Sequence, residues 1–275
     1  MANSCLAFKG LATLISGKSN EDVVYVNFNG LNQGPVQAAA DGVMLTKIDL
    51  DGRSLAFEPV VRPVIALKTG AARGVAIDRA LKSDDEPKPA GAAMARLSEY
   101  DAQQLDRALL AAGLAAVSEA EARDKALFAP VTFASLATPR ARREILPLLL
   151  SEQARLGAHL VIEITTLDPG LPPSRLVEVL AAIRPSCRTV FARLRPERRA
   201  IKALVDCGLD GAAIEASDLD DPEDAEALTR IRLVLRAIGS RMLIHNLRSV
   251  NAINAAREAG VTYGALDIAG LGGAG

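Results

Sequence analysis

The chain has 275 residues, 49% of them hydrophobic and 24% charged, enough to bury one large core or two modest ones. Its 32 basic residues balance 33 acidic ones for a net charge of −1, which excludes the broad positive field that bulk nucleic-acid binding needs. No run approaches the roughly 18 uncharged apolar residues of a membrane helix, and Lys9 interrupts "CLAFKGLATLI" before it forms a secretory core, so a cytoplasmic protein without a membrane span is expected. Cys5, Cys187 and Cys207 are odd in number and lack C-x-x-C spacing, so they read as buried thiols and not as a disulfide framework or zinc knuckle.

In chain order, residues 1–40 hold one strand-like run, "VVYVNF" (23–28), between polar turns, too little for a domain of its own. The role of that segment is not legible, and residues 41–275 are taken as one barrel domain. "SLAFEPVVRPVIALKTGAARGVAID" (54–78) reads as strands joined by a Pro-containing bend and a Lys-Thr-Gly turn, and "KSDDEPKPAGAA" (82–93) as an exposed loop leading into a helix over about 98–116.

From there strands and helices alternate. Strand-length apolar runs occur at 127–134, 159–165, 187–194, 211–216, 242–246 and 261–268. Between them, "PRARREILPLLLSEQARLG" (139–157) places Ile145, Leu148, Leu149 and Leu156 near one helical face, with Pro139 fitted to a first turn and Gly157 to the stop. "PPSRLVEVLAAIR" (172–184), "PERRAIKALVDCG" (196–208) and "DPEDAEALTRIRLVLRAIG" (221–239) repeat the scheme. This rhythm is that of parallel β/α architecture, and two upstream strands bring the count to eight: a (β/α)8 TIM-like barrel, with a doubly wound open sheet as the alternative. The arginine-dense stretches 138–145 and 193–202 read as solvated helix faces, the alternative being a patch for an anionic partner.

In a barrel, chemistry collects at the C-terminal strand ends. The polar residues there are Thr132 and Ser135, Glu163 and Thr165, Arg193, Glu215, His245 with Asn246, and Asp267, with Arg248 just beyond. Glu163, Glu215, His245 and Asp267 are of metal-ligating type, but nothing in their spacing requires a metal, and no metal or cofactor is expected. His159, at the start of its strand, falls on the opposite face.

The order of segments resembles the EAL domain, named for a Glu-Ala-Leu motif. "LAFEPVVRPVIALKTGAARGV" looks like the opening strand of that family, "EYDAQQLDRALLAAGL" its first helix, "APVTFASLATPRARREI" its Val-Asn-Leu-Ser segment and "LVIEITTLD" its Glu-Ile-Thr-Glu strand. "LIHNLRSVNAINAAREAGVTYGALDIAG" is similar to its closing Ala-Glu-Gly-Val-Glu strand, helix and final strand. The resemblance implies a barrel of the EAL type. Active members hydrolyse cyclic di-GMP with two divalent cations held by carboxylates and an Asn.

Position by position, the resemblance implies loss of that machinery. The motif Glu falls at Ala76, the Asn at Thr132 and the second Glu of Glu-Ile-Thr-Glu at Thr166, while the first is kept as Glu163. The Asp-Asp pair falls around Ala192 and Arg193, the catalytic Lys on Ala213 and its companion Asp on Glu215. In the closing motif His245, Asn246 and Arg248 replace Glu, Gly and Glu, and the family's Leu-Leu-Arg arginine has Arg79 one place off. The expectation is a catalytically inactive EAL-like signalling protein working through protein partners, with no catalytic residue and with Glu163, Arg193, Glu215, His245, Asn246 and Arg248 lining the old ligand site. The alternatives are an inactive receptor that still binds cyclic di-GMP, and an unrelated β/α-barrel enzyme using His245 with Glu163 or Glu215. A homodimer is implied by resemblance only. Arg193, His245 and Arg248 are expected to crowd the former cation site, where Glu163 and Glu215 would neutralise them.

Overall fold

The structure is a computed structural model that describes residues 37–38, 44–50, 53–82, 88–89, 98–168, 170–194, 207–216, 232 and 241–268. The strand expected at 23–28, most of the helices expected over 196–208 and 221–239, and Cys5 lie outside the described residues. Eleven strands are described: β1 (Gln37–Ala38), β2 (Met44–Leu50), β3 (Arg53–Ala66), β4 (Ala72–Lys82), β5 (Lys88–Pro89), β6 (Ala126–Thr132), β7 (His159–Thr165), β8 (Thr189–Arg193), β9 (Gly211–Glu215), β10 (Arg241–Leu247) and β11 (Tyr263–Leu266). The described helices are α1 (Glu99–Ala115), α2 (Glu119–Ala122), α3 (Phe133–Ala137), α4 (Pro139–Leu156), α5 (Pro173–Ile183) and α6 (Val250–Glu258).

Eight strands close on themselves in the order β3-β11-β10-β9-β8-β7-β6-β4, with β4 returning to β3. Closure excludes the open sheet. The pairings from β4 through β6, β7, β8, β9 and β10 to β11 are parallel, but β3 runs antiparallel to both of its neighbours. The alternation of elements predicts parallel strands throughout, and the difference has a local cause. β3 and β4 are joined by the tight Lys68-Thr69-Gly70 turn, where Gly70 N donates to Ala66 O at 2.8 Å and Gly70 takes φ 69°. A parallel crossover needs a dozen or more residues, so this connection can only make a hairpin.

The hairpin is longer than the barrel requires. β4 pairs with β6 only over Gly74–Ala76 and continues to Lys82, still paired with β3. Because β4 and β6 are parallel, this extension lies at the C-terminal mouth, with β2 and β1 flanking it on one side and β5 on the other as an antiparallel ribbon. β2 arises in a stretch read without a strand, and β5 within the stretch read as a loop.

Strand residues alternate between two apolar environments. One set, Val64, Ala76, Phe128, Val161, Phe191, Ala213, Leu243 and Ala265, fills the barrel interior, with the Phe128 and Phe191 rings edge to face at 5.7 Å. The other set, including Leu127, Ala129, Ile162 and Ile164, packs against Ile145 and Leu149 of α4 and Leu176, Val179 and Leu180 of α5. α4 has the limits its sequence predicts: Thr138 caps it by accepting from Ala141 N, Pro139 is in the first turn, and Gly157 ends it at φ 60°. Cys187 and Cys207 are buried free thiols, as expected. Among the described residues no helix is long and apolar enough to cross a membrane.

Candidate functional site at the barrel mouth

Directly above the apolar floor, the same inward-facing periodicity delivers charge. Two residues on from Val161 comes Glu163, from Phe191 Arg193, from Ala213 Glu215, and from Leu243 His245. The register brings Glu215 opposite His245 and Glu163 opposite Phe191, so four strands converge their side chains on one end.

Arg193 is at the centre. Its Nε donates to Glu163 Oε1 in a very short contact, Nη1 donates to Glu215 Oε1 at 2.8 Å, and Nη1 lies 3.6 Å from Asp78 Oδ1. His245 is fully buried, with Nε2 2.8 Å from Glu163 Oε2 and 3.3 Å from Arg193 Nη2. Against an ionised carboxylate Nε2 carries the proton and donates to Glu163. The approach to Arg193 Nη2 is then a close contact between two donors. Nδ1 of His245 is buried without a hydrogen-bond partner, as is Oγ1 of Thr165 two residues beyond Glu163.

The fields in this cluster follow from the geometry. Burial alone would raise the Glu163 carboxyl, but the Arg193 guanidinium and the His245 contact outweigh it and hold the group at about 2, below its ordinary 4.5. Burial alone would lower the Arg193 pKa, yet Glu163, Asp78 and Glu215 drive it above the ordinary arginine value. Glu215 moves the other way from Glu163: desolvation raises it, and Arg193 and His245 offset only part of that.

Around this centre runs a rim of ion pairs. Arg62 of β3 lies 3.5 Å from Asp78 Oδ2 and 3.2 Å from Asp267 Oδ1, and Arg248 Nε lies 3.3 Å from Asp267 Oδ2. Arg62 and Asp78 were not picked out from sequence. The available signal was parity: each is two residues from an inward-facing interior residue, Val64 and Ala76, on the same face of its strand.

The structure corrects two expectations. Arg248 does not crowd Arg193 and His245: its side chain is 65% exposed at the rim, where Nε donates to Asn246 Oδ1 at 3.2 Å. Thr132 and Ser135 do not face the mouth chemistry. The Thr132 amide and hydroxyl both donate to the buried Asp106 carboxylate of α1 at 2.9 Å, and Thr132 Oγ1 also accepts from Ser135 N as the cap of α3. Asn246 has a backbone role besides its rim contact. It takes φ 64° where the β10–β11 register shifts, a left-handed conformation that Gly adopts freely and Asn tolerates better than most residues. His159 is exposed at the start of β7, at the far end of the barrel.

A closed eight-stranded barrel with one strand antiparallel to the other seven and a charged C-terminal mouth is a barrel of the TIM-like class. No family model matches the sequence, and no curated protein does. Solved structures are similar at the level of fold. The Bacillus subtilis YkuI protein, with an EAL domain, in complex with c-di-GMP and calcium, superposes at TM-score 0.55 and 18% identity over 77% of this chain and 53% of that one. The FimX EAL domain from Pseudomonas aeruginosa bound to c-di-GMP gives 0.54 and 20% over 76% and 87%. The Vibrio cholerae LapD S helix-GGDEF-EAL protein bound to c-di-GMP gives 0.57 and 14% over 78% and 53%. This chain thus spans about half the length of YkuI and of that LapD protein. Its fold is the EAL-type (β/α)8 barrel.

The described residues of the mouth do not fit the divalent-cation pair that the resemblance implies. A guanidinium occupies the space between Glu163, Glu215 and Asp78. Among the described residues no three acid, imidazole or thiol side chains are grouped to ligate one ion. Ala76, where the resemblance places the naming Glu, is fully buried in the apolar interior.

Proposed function

We propose that this chain is a catalytically inactive EAL-like signalling protein that works through protein contacts in bacterial cyclic di-GMP-related regulation, such as the control of motility or surface attachment. The observation that carries the reading is Arg193 seated among Glu163, Glu215 and Asp78. A fixed cation there opposes a divalent ion directly, since like charges a few Å apart repel strongly in a low-dielectric pocket. It also consumes the carboxylates that would otherwise activate water. The described residues of the mouth support the same reading toward nucleotide: among them the guanidiniums of Arg62, Arg193 and Arg248 face the carboxylates of Asp78, Glu163, Glu215 and Asp267, a local charge balance that does not favour a ligand carrying two phosphodiesters.

Purified protein is expected not to turn over cyclic di-GMP with Mg²⁺ or Mn²⁺. Metal-dependent turnover abolished by Glu163→Gln would overturn the reading. A receptor for cyclic di-GMP is the second reading, favoured by the solved c-di-GMP complexes of FimX and YkuI with which this fold superposes. Calorimetric titration separates the two. Low-micromolar affinity that disappears in Arg193→Ala promotes the receptor, and no measurable heat supports protein contacts alone.

A further inference from the structure

The cage around Arg193 has the shape of a planar organic cation. Glu163 meets Nε, Glu215 and Asp78 meet Nη1, and His245 approaches Nη2, so all three nitrogens of one plane have neighbours on strands β4, β7, β9 and β10. Pairing of this kind, with carboxylates set along the edges of a flat fork, matches a guanidinium and not a spherical ion. Among the described residues no three acid, imidazole or thiol side chains are grouped to ligate one metal. The Arg193 side chain is 20% exposed, so the cage opens to water on its outer side.

We infer that the mouth of this barrel is a binding site for a guanidinium-class cation that the chain occupies with its own Arg193, and that the site persists when that side chain is removed. The three carboxylates and the imidazole come from four different strands, each fixed by its own backbone ladder, and those ladders do not depend on the Arg193 side chain. The inference stands on this geometry alone and is independent of whether the protein signals.

The test is thermal unfolding of Arg193→Ala in millimolar guanidinium chloride, with sodium chloride, urea, Mg²⁺ and Mn²⁺ as separate controls. Guanidinium is expected to raise the unfolding midpoint of Arg193→Ala saturably, with a dissociation constant on the order of millimolar, while leaving wild type unchanged or slightly lower. Adding Glu163→Gln to Arg193→Ala is expected to abolish the rescue. Equal response to sodium chloride, or stronger stabilisation by Mn²⁺ than by guanidinium, overturns the inference. If Arg193→Ala does not fold in buffer, recovery of its folded state by millimolar guanidinium but not by sodium chloride supports the inference, and failure to fold with either overturns it. Cyclic di-GMP turnover, measured separately, distinguishes failure here from failure of the signalling reading.

Discussion

Glu163→Gln isolates the strongest interaction at the mouth. The side chain is 1% exposed and bridges Arg193 and His245, and the substitution keeps its shape while removing its charge. Two routes give the cost. The carboxyl is held at about 2 against an ordinary 4.5, and at about 1.4 kcal/mol per pH unit this is worth about 3 kcal/mol at neutral pH. Breaking one arm of a buried ion pair costs about 3–5 kcal/mol, at the lower end here because Arg193 retains Glu215 and Asp78. A depressed carboxyl contributes its full stability above its unfolded value and loses it as pH falls, so wild type should weaken between about pH 4.5 and 2. Glu215 has the opposite sign: its raised pKa makes the folded state bind a proton first, which offsets part of the loss on acidification. Urea denaturation of both proteins at neutral pH and through that acid window is the assay. A loss below about 1 kcal/mol, or an acid slope identical in wild type and Glu163→Gln, would refute the assignment of Glu163 as the buried anion of this cluster.

Other expectations follow from single residues. Arg248→Ala, 65% exposed at the rim, should change stability by less than about 1 kcal/mol in the same denaturation assay. Asn246→Gly should be neutral or stabilising, whereas Asn246→Val should cost about 1–3 kcal/mol, because a β-branched residue resists φ 64°. Gly74→Ala should lower the unfolding midpoint by the equivalent of about 1–3 kcal/mol or more, since an added Cβ would lie 2.0 Å from Ala126 O where β4 meets β6.

The barrel was legible because its signals are local and repeated. The runs 127–134, 159–165 and 211–216 are apolar on both faces, as strands between an interior and a helix layer must be. The limits of α4 were written in Thr138, Pro139 and Gly157. The reversed direction of β3 was also readable in principle, since Lys68-Thr69-Gly70 leaves no room for a crossover. What sequence could not supply was the partner of each polar group. Thr132 sits at a strand end like Glu163, yet it turns to Asp106, a carboxylate 26 residues away on a helix. Arg248 follows His245 by three residues, yet the left-handed turn at Asn246 carries it outward to Asp267.

Asp78 shows most directly how a motif comparison and a barrel differ. Matching segment by segment puts the naming Glu of the EAL motif on Ala76 and records a lost carboxylate. In a strand, however, positions two apart share a face, so an acid at 78 points into the same barrel as one at 76, one step nearer the mouth. There it meets Arg62 of the hairpin partner and Arg193 from across the barrel. The mouth therefore keeps a carboxylate from this strand while the level below turns apolar. An acid on that strand set against a guanidinium is a different device from an acid set against a metal: the arginine's charge is carried by the chain itself, cannot dissociate, and holds β4, β7, β8 and β9 together at the end where a metalloenzyme would leave an open coordination position.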